Sequence, residues 1–294
     1  MKFFTVDLKK EFPMLSSKQA PTLTCYVNDN SRQFAPGRKN PAILIAPGGG
    51  YSNVCFTREG EPIAFHYLRA GFSAFVLTYS VAPEYYPQQL LEAAASMLYI
   101  RSHAEEWNID ESKIAINGYS AGGHLAASLG VFWQDPFITG PLKATGGDLR
   151  PDAMILGYPV ISADPSFCHA GSIQNVSGTT DRDSALYKKM SLEYHVTENT
   201  PPAYIWHTAD DTCVPVKNSL CLALALSANK VPYELHIFPH GPHGLATADF
   251  ATNPSVDSPH DSCHSWIDES LIFLKKLWYT NNERGRKGFD RVVR

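Results

Sequence analysis

Short apolar runs bounded by Pro, Gly or Ser alternate along the chain with longer stretches in which apolar residues recur every three or four positions. Runs of the first kind, at 42–46 and 72–79, read as strands buried on both faces. Further strands are expected at 113–117, 153–156, 203–207 and 233–238. Between them, 87–107 carries Leu90, Leu91, Ala94, Met97, Leu98 and Arg101 at helical steps. The stretches 121–133, 216–229 and 264–279 share that spacing. Strands alternating with helices imply right-handed crossovers, which predicts an α/β fold: a mostly parallel central sheet with helices on both faces.

Two stretches break the rhythm. Residues 162–202 are rich in Asp, Ser, Gly and Thr, with weak helical patches around 183–190, and 247–262 shows no period. Loops of that length inside a compact domain usually cover a functional site. The expected organisation is therefore one domain over 1–294, with a small inserted cap at about 162–202 and a second irregular loop at about 247–262. Neither an internal repeat nor a low-complexity tract interrupts it.

Composition narrows the function classes. Hydrophobic residues make up 44% and charged residues 18%, the balance of a chain with its own core. A net charge of −4 argues against nucleic acid as a partner, because phosphate binding needs a basic field. No apolar run is long enough to span a membrane and the first residues hold no apolar targeting core, so no membrane partner and a cytoplasmic location are expected. The six cysteines (Cys25, Cys55, Cys168, Cys213, Cys221, Cys263) contain no CxxC pair and read as reduced packing thiols. His260, Cys263 and His264 lie close together but fall short of a tetrahedral zinc set, so neither metal nor cofactor is expected. A homo-oligomer is left open.

The chemistry sits in a few loops. Gly118-Tyr119-Ser120-Ala121-Gly122 places G-x-S-x-G after an apolar strand and before an Ala-rich helix, the context of a nucleophile elbow. A serine hydroxyl needs an adjacent base, and the base needs an orienting carboxylate. Asp210 and Asp211 follow the strand at 203–207, and His240 and His243 follow the strand at 233–238. Each pair offers two candidates at the carboxyl edge where such sheets bind ligands. Gly48-Gly49-Gly50 follows the first buried strand, and its backbone N–H groups, with that of Ala121, are candidate oxyanion donors. Tyr51, Tyr79, Tyr85, Tyr86 and Tyr158 are candidates to line a sugar or aryl site. His66, His103, His124, His195, His207 and His236 read as structural.

On these residues the chain resembles the α/β-hydrolase superfamily of serine esterases. Pro47-Gly48-Gly49-Gly50-Tyr51, Gly118 to Gly123, Pro201 to Pro215 and Gly241-Pro242-His243-Gly244 carry a likeness to the bacterial acetyl-xylan and feruloyl esterase-like branch. Pro47 stands where the lipase-like group has histidine, which favours the carbohydrate-esterase side. The resemblance implies Ser120 as nucleophile, Asp211 of the D-x-x-V-P pattern as acid and His243 as base. It further implies Gly49, Gly50 and Ala121 as the oxyanion hole. The activity it implies is hydrolysis of short acyl esters, acetyl above all, with an acylated sugar such as a xylo-oligosaccharide as substrate. A peptidase of the same fold and a non-catalytic binding protein are the rival classes.

Overall fold

Along 42–46 the side chains alternate between two cores: Ala42, Leu44 and Ala46 enter one, Ile43 and Ile45 the other. Both faces of the strand are therefore covered, which is why its sequence is apolar without a polar side. The computed structural model describes all residues except 31, 32, 34, 36, 254–260 and 281–294. Within it, β1 (Lys2–Asp7), β2 (Thr22–Val27), β3 (Asn40–Ala46), β4 (Ser73–Thr78), β5 (Ile109–Tyr119), β6 (Ala153–Gly157), β7 (Ala203–Thr208) and β8 (Tyr233–Phe238) form one sheet. Its order is β1-β2-β4-β3-β5-β6-β7-β8. The pairs from β4 to β8 are parallel, whereas β1–β2 and β2–β4 are antiparallel.

Helices cover both faces. Gln88–Ser102, Ala121–Phe132 and Lys217–Ala228 pack their apolar residues into the core that holds Leu44, Ile116 and Leu156. Glu61–Arg69 and Trp266–Lys275 pack into the opposite core, with Ile43, Ile155 and a stacked Trp206–Trp266 pair 5.1 Å apart. This is the expected α/β-hydrolase architecture. The two N-terminal strands are an addition: 2–7 and 22–27 lie outside the elements expected above, and they extend the β4 edge in an antiparallel sense.

The chain leaves β3 toward one edge, through the helix Glu61–Arg69 to β4, and then crosses back to β5 on the other side of β3. Adjacent strands whose connections depart in opposite directions open a crevice at their carboxyl ends. The loop after β3 carries the glycines and the loop after β5 carries Ser120, so the two flank that crevice.

The 162–202 stretch contains the helices Ala170–Ser177 and Ala185–Lys189 and a turn of 3₁₀-helix, Leu192–His195. It is tied down along its length. Asn218 Oδ1 accepts the Ile161 and Ser162 N–H groups at 2.9 and 3.0 Å, and the Asn175 amide donates to the Gly50 carbonyl at 2.8 Å. His124 reaches the Met190 carbonyl at 2.9 Å, and the Lys189 ammonium lies 4.5 Å over the Phe137 ring. Among the described residues no helix is long and apolar enough to cross a membrane.

Candidate active site

Gly118 and Gly122 are required by space rather than by backbone angle. A Cβ on Gly122 would lie 2.1 Å from the Ala46 carbonyl oxygen, and one on Gly118 would lie 2.2 Å from the Gly122 oxygen. Only glycine at both positions lets the helix Ala121–Phe132 start directly against the ends of β3 and β5. The residue between them bears the strain: Ser120 has φ 54° and ψ −121°, a conformation rarely populated outside glycine. Three backbone bonds hold it, from Ser120 N–H to Gly157 O (3.1 Å) and to Ser120 O from His124 and Val160 N–H (3.1 and 3.0 Å).

The Ser120 hydroxyl lies 2.8 Å from Nε2 of His243, and Nδ1 of His243 lies 2.6 Å from Oδ2 of Asp211. A carboxylate only accepts, so Nδ1 carries the proton of the neutral imidazole and Nε2 accepts from the serine O–H. The other Asp211 oxygen accepts the Cys213 and Val214 N–H groups, each at 2.9 Å. His207, wholly buried on β7, presents Nε2 at 3.3 Å from Oδ2. Burial pushes the Asp211 carboxyl up, but the hydrogen bonds from His207 and His243 outweigh it and hold the group well below the usual carboxylate range. Asp211 is thus a buried, fully satisfied anion.

The neighbouring pair separates cleanly from this one. Asp210 contacts His240 at 3.1 Å on the surface, where the His240 side chain is 83% exposed, and its second oxygen caps the Gly241 N–H. In the turn that follows β7, one carboxylate therefore faces inward and the other faces solvent.

At the glycines, Gly48 packs against Ser120, since a Cβ there would lie 3.0 Å from Ser120 Cβ. Its N–H is already taken by the buried Glu59 carboxylate at 2.7 Å. Among the described residues, the N–H groups of Gly49 and Gly50 have no acceptor within the protein, and neither has that of Ala121 at the helix start. Gly49 and Gly50, at φ 129° and 65°, also need backbone freedom that side chains deny.

Residues 33–226 match the family model described as BD-FAE. The chain belongs to the BD-FAE family. The matched segment includes the glycines, Ser120 and Asp211, and ends before His243. An endo-1,4-beta-xylanase B from Butyrivibrio fibrisolvens is 39% identical over 215 residues, covering 72% of this chain and 33% of that protein. An acetylxylan esterase from Xylanibacter ruminicola is 30% identical, covering 80% and 46%. The chain therefore spans less than half the length of these two relatives. Among solved structures, an acetyl ester-xyloside bifunctional hydrolase from Caldicellulosiruptor lactoaceticus superposes with a TM-score of 0.75 at 36% identity, covering 92% of this chain and 97% of that one.

Several site residues of this family member escaped the pattern of the sequence. Glu59, Arg58 and His207 carry no motif of their own. His207 even sits in a strand, where an apolar run conceals it. Of the five tyrosines, Tyr51, Tyr79 and Tyr158 are buried with their hydroxyls committed to His124 Nδ1, Pro47 O and Glu59. Their phenols brace the site from within, and Tyr85 remains 45% exposed. His169, in the 162–202 stretch, bonds Ser172 Oγ at 2.7 Å, and burial, reinforced by the proximity of His243, makes it harder to protonate. Of the three residues weighed as zinc ligands, His260 lies outside the described residues. Cys263 Sγ contacts His240 O and His264 Nδ1 contacts Thr247 O at 2.8 Å. The described residues contain no group of three metal-ligating side chains. All six cysteines are free thiols, and Cys213 is exposed rather than packed.

Proposed function

We propose that the chain is a serine carboxylic ester hydrolase that removes short acyl groups, acetyl foremost, from carbohydrates such as xylo-oligosaccharides. The observation that carries this reading is the unbroken chain from Ser120 through His243 to the buried Asp211, at 2.8 and 2.6 Å, beside unclaimed backbone N–H groups. The sugar-ester specificity draws support from the names of the acetylxylan esterase and acetyl ester-xyloside hydrolase relatives.

In this reading His243 takes the Ser120 proton as the oxygen attacks the ester carbonyl. Asp211 holds the imidazole in the required tautomer and stabilises its charged form. The N–H groups of Gly49, Gly50 and Ala121 receive the negative oxygen of the tetrahedral intermediate, where one such donor is worth roughly a hundred- to a thousand-fold in turnover. The imidazolium then protonates the departing alcohol, and water, deprotonated by the same His243, releases the acid from the acyl-serine. The tied-down 162–202 stretch roofs the crevice and shapes the alcohol side, with Ser172 and Asn175 against Gly50.

The test is an acyl series from aryl acetate to aryl decanoate, run beside acetylated xylo-oligosaccharides and aminoacyl arylamides. Expected is fastest turnover on acetate, release of acetate from the oligosaccharides, and no activity after Ser120→Ala. Faster cleavage of the arylamides would favour a peptidase, and full activity of the Ser120→Ala variant would remove the mechanism.

A further inference from the structure

The peptide joining Pro47 to Gly48 is held at both ends. Its carbonyl accepts from Tyr79 Oη at 2.7 Å, and its N–H donates to Glu59 Oε2 at 2.7 Å. The other oxygen of Glu59 accepts from the Tyr158 hydroxyl at 2.8 Å. That hydroxyl accepts in turn from the Ala246 N–H at 2.8 Å. The Tyr158 ring meets the His243 imidazole edge-to-face at 5.0 Å. Glu59 Oε1 lies 4.0 Å from where a Cβ on Gly244 would sit, next to His243 in sequence. The adjacent Arg58 donates to the carbonyls of Gly244 and Thr252. One buried carboxylate therefore touches the loop that carries the oxyanion donors and, through one phenol, the turn that carries the base.

We propose that Glu59 is a positioning residue that sets the glycine loop and the His243 turn in register with each other, acting through Tyr158. The inference rests on the ester-hydrolase reading. Glu59 makes no hydrogen bond to Ser120 among the described residues; it fixes the peptide from which the Gly49 and Gly50 N–H groups project. Only a carboxylate suits the place, because Gly48 N–H and Tyr158 O–H both donate to it. A glutamine offers one acceptor group and one donor group, so one of these two buried partners is left unpaired. Burial keeps the Tyr158 phenol protonated, and hence a donor, throughout the working pH range.

The experiment compares the full-length wild type with Glu59→Gln, Tyr158→Phe and the double variant. It uses p-nitrophenyl acetate turnover and the rate at which a p-nitrophenyl phosphonate ester labels Ser120, an adduct whose charged oxygen needs the same N–H groups. Expected is a fall in kcat of roughly ten- to a hundred-fold, the scale on which a small misplacement of reacting groups acts. KM should change by less than about threefold, and labelling should slow in proportion to kcat. The double variant should be no worse than the more damaging single one, because both act in one chain of bonds. Thermal melts establish that each protein is folded at the assay temperature, and Tyr158→Phe decides alone if Glu59→Gln does not fold. Folded variants that turn over and label like wild type, or that lose only KM, overturn the proposal. A wild type that neither hydrolyses the ester nor labels at Ser120 overturns the ester-hydrolase reading itself, and the positioning role with it.

Discussion

His207 Nε2 stands 3.3 Å from Oδ2 of Asp211, with both side chains excluded from solvent. The same N–H also reaches the Val214 carbonyl at 2.8 Å, and Nδ1 pairs with Ser219 Oγ at 2.7 Å. His207 is therefore a strut that fixes the same carboxylate oxygen to which His243 is bonded. Replacing it with Phe keeps the bulk and removes the donor, which should lower kcat on p-nitrophenyl acetate roughly ten- to a hundred-fold. It should also weaken acid sensitivity. A carboxyl depressed on folding stabilises the protein above its unfolded value, about 3.9, and that contribution is lost as pH falls below it. Urea midpoints measured through this range should fall less steeply for His207→Phe than for wild type.

The two adjacent aspartates should differ sharply in consequence. Asp211→Asn leaves His243 without its acceptor and permits the wrong tautomer, so kcat should drop by about 10³–10⁴-fold. Asp210→Asn and His240→Ala disturb only a solvated pair, and each should stay within about threefold of wild type. Steady-state kinetics on one ester separates the two outcomes, and equal losses at both positions would contradict the inward and outward assignment.

His124 supplies a pH-dependent contribution to stability. Its Nε2 donates to Met190 O and its Nδ1 accepts from the Tyr51 hydroxyl at 3.0 Å, an arrangement that only the neutral ring can make. Burial pulls its value down to about 4, only partly offset by the bond to the Met190 carbonyl. The unfolded chain binds a proton near pH 6.5 and the folded chain does not, so stability is full above that value. As pH falls toward 4, on the order of 3 kcal/mol is lost. His124→Gln, which can still donate to Met190 O, should show a flatter profile over this window in urea titrations. A wild-type profile already flat there would refute the assignment.

Space at the glycines can be tested directly. Gly122→Ala drives a methyl to within 2.1 Å of Ala46 O and 2.4 Å of Pro47 O, both backbone atoms that cannot step aside cheaply. The cost should be about 3 kcal/mol or more, with esterase activity lost as the glycine loop is pushed away from Ser120. Gly147, in the short helix Gly146–Leu149, has nothing within 4 Å of an added Cβ. Gly147→Ala should therefore stay within about 1 kcal/mol of wild type, or be slightly more stable. Chemical denaturation of the two variants checks both expectations.

Local pattern was enough for the parallel strands from 42 to 208, because burial on both faces writes a continuous apolar run into each of them, whereas the edge strand β8 is only partly buried. It was also enough for the turn at Ser120, since a sharp strand-to-helix turn demands glycine two residues away on each side. The N-terminal strands were harder to read: β1 mixes exposed and buried residues, with Phe3 62% exposed, so no continuous apolar run marks it. The 162–202 stretch was visible as an interruption of the rhythm. Its attachment depends on partners distant in sequence, such as His124 with Met190 and Asn218 with Ile161.

By itself the sequence determined the fold class, the nucleophile turn and the short candidate sets for acid, base and oxyanion donors, because each follows from contacts within a few residues. Tertiary structure decided which aspartate and which histidine face inward. It also decided that Gly48 spends its N–H on Glu59 and that Tyr158 joins two loops through one hydroxyl. The reason is physical: hydrogen bonds between residues 11 to 99 positions apart, made between side chains and loops, leave no periodicity. Glu59 and Tyr158 become meaningful only when the sheet brings their loops to the same edge.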